Sequence, residues 1–199
     1  MDFRGALSEL IAREARPVDK FGHQPRLYAL TQQVGIGQTY DDDVVYAAAF
    51  LHDLGVFIGH RPEDPEALAR WDHVIYTVDR VPALLHEAGF PPEKVEAVLD
   101  AIRSHQPHDS PVAMEAVILR DADILEQLGA VGILRAVAKV GRDTRFATFT
   151  PVIATLHRNL EKLPGQLRLE RSRELAEPKV RILEAFLGAA DRESVPALY

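Results

Sequence analysis

The chain of 199 residues contains no cysteine. That excludes a disulfide framework and any thiolate site, and leaves His, Asp and Glu as the strong metal ligands available. Such a donor set favours Mn, Fe, Mg, Co or Ni over a Cys-rich structural zinc. Basic residues are in deficit, 23 against 30 acidic, for a net charge of −7. A broad basic field for nucleic acid is thereby excluded, while a local basic pocket for phosphate is not. No apolar run approaches the ~18 residues needed to span a bilayer. The opening Met1-Asp2-Phe3-Arg4-Gly5 lacks the basic-then-apolar pattern of a secretory signal. The expectation is a cytoplasmic protein with neither nucleic acid nor membrane among its partners. Strand signals are also scarce: Phe146 to Thr150 is the only short candidate, and no repeat, low-complexity tract or linker interrupts the chain.

What is present is helical periodicity, with 47% hydrophobic residues to bury. Phe3 to Ala15 reads as a helix stopped near Pro17. His23 to Val34 is a second, with Leu27, Leu30 and Val34 on one stripe and Gly35-Ile36-Gly37 ending it. Asp41-Asp42-Asp43 supplies an N-cap and dipole-favoured carboxylates for a helix expected to reach Leu54, with Gly55 as its C′ residue. After a loop at 59–66, a helix from about Ala67 or Asp72 to Ala88 is closed by Gly89-Phe90-Pro91-Pro92. Another starts at Pro92-Glu93, carries the stripe Val95, Val98, Leu99, Ile102 and ends near His105. Gln106 to Pro111 is a loop. Val112 to about Lys139 is helical with a break near Gly129, a loop holds Gly141 and Thr144, and helices follow at 151–162 and about 170–190. The expected fold is all-α: one domain over 1–199 of about 8–10 helices, its core at about 20–140 and the helices at 151–190 packed on it.

The chemistry concentrates at His52-Asp53. Two His-Asp dipeptides occur, near what chance allows for 8 His and 15 Asp in this length. His108-Asp109 lies between Pro107 and Pro111 and reads as a solvated loop. His52-Asp53 follows the apolar run Val44 to Leu51. An imidazole and a carboxylate buried there are costly unless paired, and a metal ion would pair with both. Arg120-Asp121-Ala122-Asp123 sets a second acidic pair inside an apolar segment. It reads either as a salt-bridged helix, with Arg120 or Arg103 as partner, or as a ligand completing a site begun by His52-Asp53.

The order His23 … His52-Asp53 … Asp123 resembles the H…HD…D signature of the HD-domain metal-dependent phosphohydrolases. The surrounding residues extend the likeness: His23-Gln24-Pro25-Arg26-Leu27, Ala48-Ala49-Phe50-Leu51-His52-Asp53-Leu54-Gly55, and Asp121-Ala122-Asp123-Ile124-Leu125 with Gly129-Ala130-Val131-Gly132-Ile133. Together with Asn159-Leu160-Glu161-Lys162-Leu163 they are similar to a subgroup of small bacterial single-domain hydrolases with an Asp-Ala-Asp motif, which includes nucleoside-triphosphate pyrophosphatases. The resemblance implies one divalent ion held by His23, His52, Asp53 and Asp123. Asp121 is the alternative fourth ligand; Asp123 is preferred because Ile124-Leu125-Glu126 occupies the turn that follows the family's ligand. Ile124 stands where the subgroup has Arg. Val56 removes both the HD-x-x-Glu motif of the nucleotidase-like branch and the Lys of the cyclic-dinucleotide branch.

His73 and His105 fall at intervals that suit a second ion bridged by Asp53, as in two-metal relatives, with one ion the leading expectation over two. With a single ion, Asp53, His73 and His105 are the candidate catalytic groups, the histidines as general acids or phosphate contacts. The other reading of His105 is a helix C-cap. Arg26, one turn from His23, and Arg103 are the candidate phosphate-binding residues. His86 and His157 carry no motif. The expected function is hydrolysis of a nucleotide or other small phosphorylated metabolite, with manganese among the suitable ions. The alternatives are a binuclear phosphodiesterase or dinucleoside-polyphosphate hydrolase, and a non-catalytic HD signalling module. The amphipathic segment Leu167 to Ala190 either packs on the core or pairs with a second copy, so a homodimer stands among the expectations.

Overall fold

The computed structural model of the chain describes residues 2–17, 20–142 and 146–194. Among them the secondary structure is helical, with no strand: α1 (Phe3–Glu14), α2 (His23–Val34), α3 (Asp42–Leu51), α4 (Pro65–Ala69), α5 (His73–Glu87), α6 (Val95–Arg103), α7 (Met114–Glu126), α8 (Gly129–Val137), α9 (Phe149–Lys162) and α10 (Glu170–Glu193). No helix among the described residues is long and apolar enough to cross a membrane. The chain divides into two compact units, residues 1–120 and 121–199, with the boundary inside α7.

In the first unit, α3 is the centre. Asp41 accepts hydrogen bonds from the Asp43 and Val44 amides, as an N-cap should. Every residue from Val44 to Leu51 is buried, which is how a helix apolar on all sides satisfies itself. It packs against α1, α2 and α6, and α6 packs in turn on α5. Its N-terminal end is clamped by charge. Arg4 of α1 reaches Asp42 and Asp43, each at 2.7 Å, and the Tyr28 hydroxyl at 2.9 Å, while Lys94 pairs with Asp41 and Asp43.

The C-terminal end of α3 departs from expectation. The helix stops at Leu51 rather than Leu54, and Leu54–Val56 forms a separate 3-10 turn. Gly55 is therefore not a left-handed C′ residue. It is required by a close approach: a Cβ at Gly55 would lie 2.6 Å from the His73 carbonyl oxygen. The Gly55 amide donates to Thr77 Oγ1 and its carbonyl accepts from the Trp71 indole. These contacts seat α5 on the turn directly after His52-Asp53.

Of the two starts expected for the helix ending at Ala88, the one at Asp72 is realised: Asp72 caps α5, whose C-cap is Ala88, and Asp64 caps the separate short helix α4. The segment 112–139 is broken as expected at Gly129, whose φ is +68°. In the second unit α8, α9 and α10 pack on one another. The candidate strand at Phe146 to Thr150 is not a strand. Thr148 is extended, but as the N-cap of α9, which begins at Phe149. The loop expected around Gly141 and Thr144 falls partly outside the described residues.

Candidate metal centre

His23, the first residue of α2, and His52, the residue after α3, are both buried, 5% and 1% exposed. Their Nε2 atoms face each other at 3.4 Å, and Asp53 Oδ2 lies 3.7 Å from each. The point equidistant from these three atoms lies about 2.1 Å from each, the length of a divalent-metal bond to imidazole nitrogen or carboxylate oxygen. The spacing of the three atoms thus suits a cation.

The tautomers agree with that use. His52 Nδ1 is 3.0 Å from the Ala49 carbonyl, and His105 Nδ1 is 2.6 Å from that of Ile102. A carbonyl only accepts, so each Nδ1 carries a proton, which leaves Nε2 as the ring nitrogen able to offer a lone pair. A backbone carbonyl fixing a ring in this way is a frequent outer-shell support of metal-binding histidine. Burial pushes the Asp53 carboxyl up, but His52, His23, His105 and His73 around it prevail and hold it well below the usual carboxylate range. Asp53 is accordingly an anion at neutral pH.

His73 opens α5 and His105 follows α6, with ring centroids 5.9 Å apart. Together with Asp53 they form a second group of converging ligand atoms, sharing the carboxylate with the first. The C-cap residue of α6 is Ser104, and His105 Nδ1 meets the Ile102 carbonyl in its last turn. Between the two rings stands a residue the sequence did not single out. Gln106 Nε2 is 3.1 Å from His73 Nε2 and 3.2 Å from His105 Nε2. Its main chain is fixed from both sides: its amide donates to Asp109, and its carbonyl, like that of Pro107, accepts from buried Arg120. His108 is 80% exposed on this loop, as expected, while Asp109 braces it.

Of the expected phosphate-binding residues, Arg26 lies exposed one turn along α2 from His23. Arg103 is engaged by Glu96 at 2.6 Å and Asp100 at 3.0 Å on its own helix. His86 is exposed, and His157 pairs with Asp191 in the second unit. Also in the second unit, the Asp121 carboxylate accepts the Arg168 and Leu169 amides just ahead of α10. Asp123 Oδ2 accepts from Gln127 Nε2 at 3.3 Å. The role of Asp121 was hidden because its partners lie 47 and 48 residues away.

The HD domain family model matches residues 21–128. None of the curated proteins matches the chain. Among solved structures, Bacillus subtilis YpgQ is similar at 22% identity and TM-score 0.75, over 98% of this chain and 96% of that one. YpgQ in complex with ADP aligns at 21% identity and TM-score 0.71, over 97% and 98%. A predicted HD superfamily hydrolase from an uncultured Thermotogales bacterium aligns at 24% identity and TM-score 0.62, over 96% and 90%. At such identities the likeness is one of fold.

Proposed function

The chain belongs to the HD-domain family, and on that premise we propose that it is a metal-dependent phosphohydrolase acting on a nucleotide by water attack on phosphorus. The observation that carries the reading is the triangle of His23 Nε2, His52 Nε2 and Asp53 Oδ2, whose edges of 3.4, 3.7 and 3.7 Å suit one divalent ion. Asp123 is kept as the fourth ligand on the order of the sequence motif alone. When bound, the ion supplies Lewis acidity: it polarises a phosphoryl oxygen and makes water more acidic.

The chain's own groups supply the rest. Asp53, held ionised by the surrounding histidines, accepts positive charge and orients what approaches it. His105 keeps its Nδ1 proton on the Ile102 carbonyl, so proton exchange with a leaving oxygen falls to Nε2. His73 Nε2 is its counterpart across Gln106. Arg26 is the preferred phosphate contact because it stands one turn along α2 from His23; Arg103 is bound to Glu96 and Asp100 on its own helix. The nucleotide assignment draws support from YpgQ, a relative in fold solved with ADP. A panel of nucleoside triphosphates with Mn²⁺, followed for pyrophosphate and orthophosphate, tests it. Release of pyrophosphate is expected; no turnover of any member overturns the nucleotide reading.

A second reading, a binuclear phosphodiesterase or dinucleoside-polyphosphate hydrolase, is favoured by the second group, Asp53, His73 and His105. The state of that group depends on Gln106.

A further inference from the structure

We infer that Gln106 keeps the second ligand group closed, so that the protein holds one divalent ion where its histidines could hold two. The inference rests on the metal-binding reading above. A neutral imidazole has one lone pair in its ring plane, at the nitrogen without a proton. For His105 that nitrogen is Nε2, since Nδ1 is committed to the Ile102 carbonyl. Gln106 Nε2, an amide donor with two hydrogens, sits within hydrogen-bond distance of both His105 Nε2 and His73 Nε2. One hydrogen to each ring occupies both lone pairs at once. A lone pair that accepts an N–H is not available to a cation, so a second ion must first displace the amide.

The opposite amide orientation, with the carbonyl oxygen facing the rings, would leave His105 Nε2 without a proton to give. The donor orientation is the one the His105 tautomer permits. Displacement is opposed because the main chain of Gln106 is pinned. Asp109 takes its amide, and Arg120 holds its carbonyl and that of Pro107. The side chain cannot withdraw by moving the loop without breaking these bonds. In the first group His23 and His52 present Nε2 to each other and to Asp53. Gln106 is thus a specificity-determining residue for metal number.

The test is equilibrium dialysis of the full chain against Mn²⁺ alone, with metal counted by mass spectrometry and Mn–Mn coupling read by electron paramagnetic resonance. Wild type should hold one ion per chain and show no coupled pair. Gln106→Ala removes the donor, and Gln106→Glu replaces it isosterically with a carboxylate that would itself attract a cation. Both should take up a second ion with a coupled spectrum, the affinity at that position rising at least about tenfold for loss of two competing hydrogen bonds. The glutamate variant decides should the alanine variant fold poorly. Two ions in wild type overturn the inference and the single-ion reading together, while one ion in a variant with wild-type circular dichroism overturns the inference and leaves the single-ion reading standing. No ion in wild type overturns the metal reading, and this inference with it.

Discussion

Adding one methyl group at Gly55 should damage the protein more than a change so small normally does. A Cβ there would stand 2.6 Å from the His73 carbonyl oxygen, 3.0 Å from His73 Cα and 3.1 Å from His73 Cβ. Two of these atoms are backbone, so no rotamer change relieves the clash. Restoring ordinary contact requires the 3-10 turn and the start of α5 to separate by about 0.8 Å. The Gly55 amide bond to Thr77 Oγ1 at 3.1 Å and the Trp71 indole bond to the Gly55 carbonyl at 2.8 Å both oppose that movement. Overpacking of this kind costs about 1–3 kcal/mol, and straining the two hydrogen bonds adds about 1 kcal/mol. At roughly 2–4 °C per kcal/mol for a chain of this length, a loss of about 3 kcal/mol lowers Tm by about 6–12 °C. Because the shift falls between Asp53 and His73, the proposed hydrolase activity should drop as well. Thermal melting followed by circular dichroism reads the first effect. Gly165→Ala is the control, since a Cβ there meets nothing within 4 Å and φ lies outside the left-handed region. A Gly55→Ala variant that melts with wild type, or a Gly165→Ala variant that loses as much, would refute the close-approach argument.

Arg120→Ala withdraws the donor from two carbonyls of the 106–107 loop and should cost about 2–3 kcal/mol, as hydrogen bonds from a charged group do, measured as a lower urea midpoint. Asp121→Ala leaves the Arg168 and Leu169 amides without their acceptor and should cost about 1–2 kcal/mol, the scale of a lost helix cap. Asp123→Ala should instead lower Mn²⁺ affinity, read by dialysis, with a smaller change in melting; the reverse pattern would exchange their roles. Acid should weaken the Arg4 cluster. Burial raises the Asp42 carboxyl, but bonds from Arg4, Tyr28 and Gln32 outweigh it, and Arg4 and Lys94 lower Asp43. Both carboxyls are depressed on folding, so their contribution is complete above the unfolded value of 3.8 and lost as pH falls through the folded values. Melting temperature followed from about pH 6 to about pH 3 should therefore fall more steeply in wild type than in Arg4→Met, and parallel curves would contradict this.

The helices were legible wherever their signals are local. His23 to Val34 was readable from its stripe and Gly35, and the start of α3 from Asp41, because caps and periodicity act within a turn or two. The end of α3 was not. Gly55 resembles a C′ glycine in the sequence, yet it is small because the His73 backbone packs on it, a tertiary contact 18 residues away. Phe146 to Thr150 carries strand-forming residues, and Thr148 is extended, but without a neighbouring strand to pair with that preference ends in a helix cap. At the site, His23, His52 and Asp53 were marked by order and context, and His73 and His105 by spacing; the structure brings these five into two ligand groups sharing Asp53. Gln106 carried no mark, since its importance lies in where the loop aims a common side chain. The Asp121 and Arg120 contacts are likewise made to backbone groups, which no residue pattern announces.

The central claim is that His52 and Asp53 exist to hold a divalent ion. Equilibrium dialysis of His52→Gln and Asp53→Ala against Mn²⁺, beside wild type and with folding checked by circular dichroism, tests it most directly. The account predicts one ion per wild-type chain and, in both folded variants, loss of that ion together with loss of nucleotide hydrolysis. Either variant binding Mn²⁺ as tightly as wild type would contradict it.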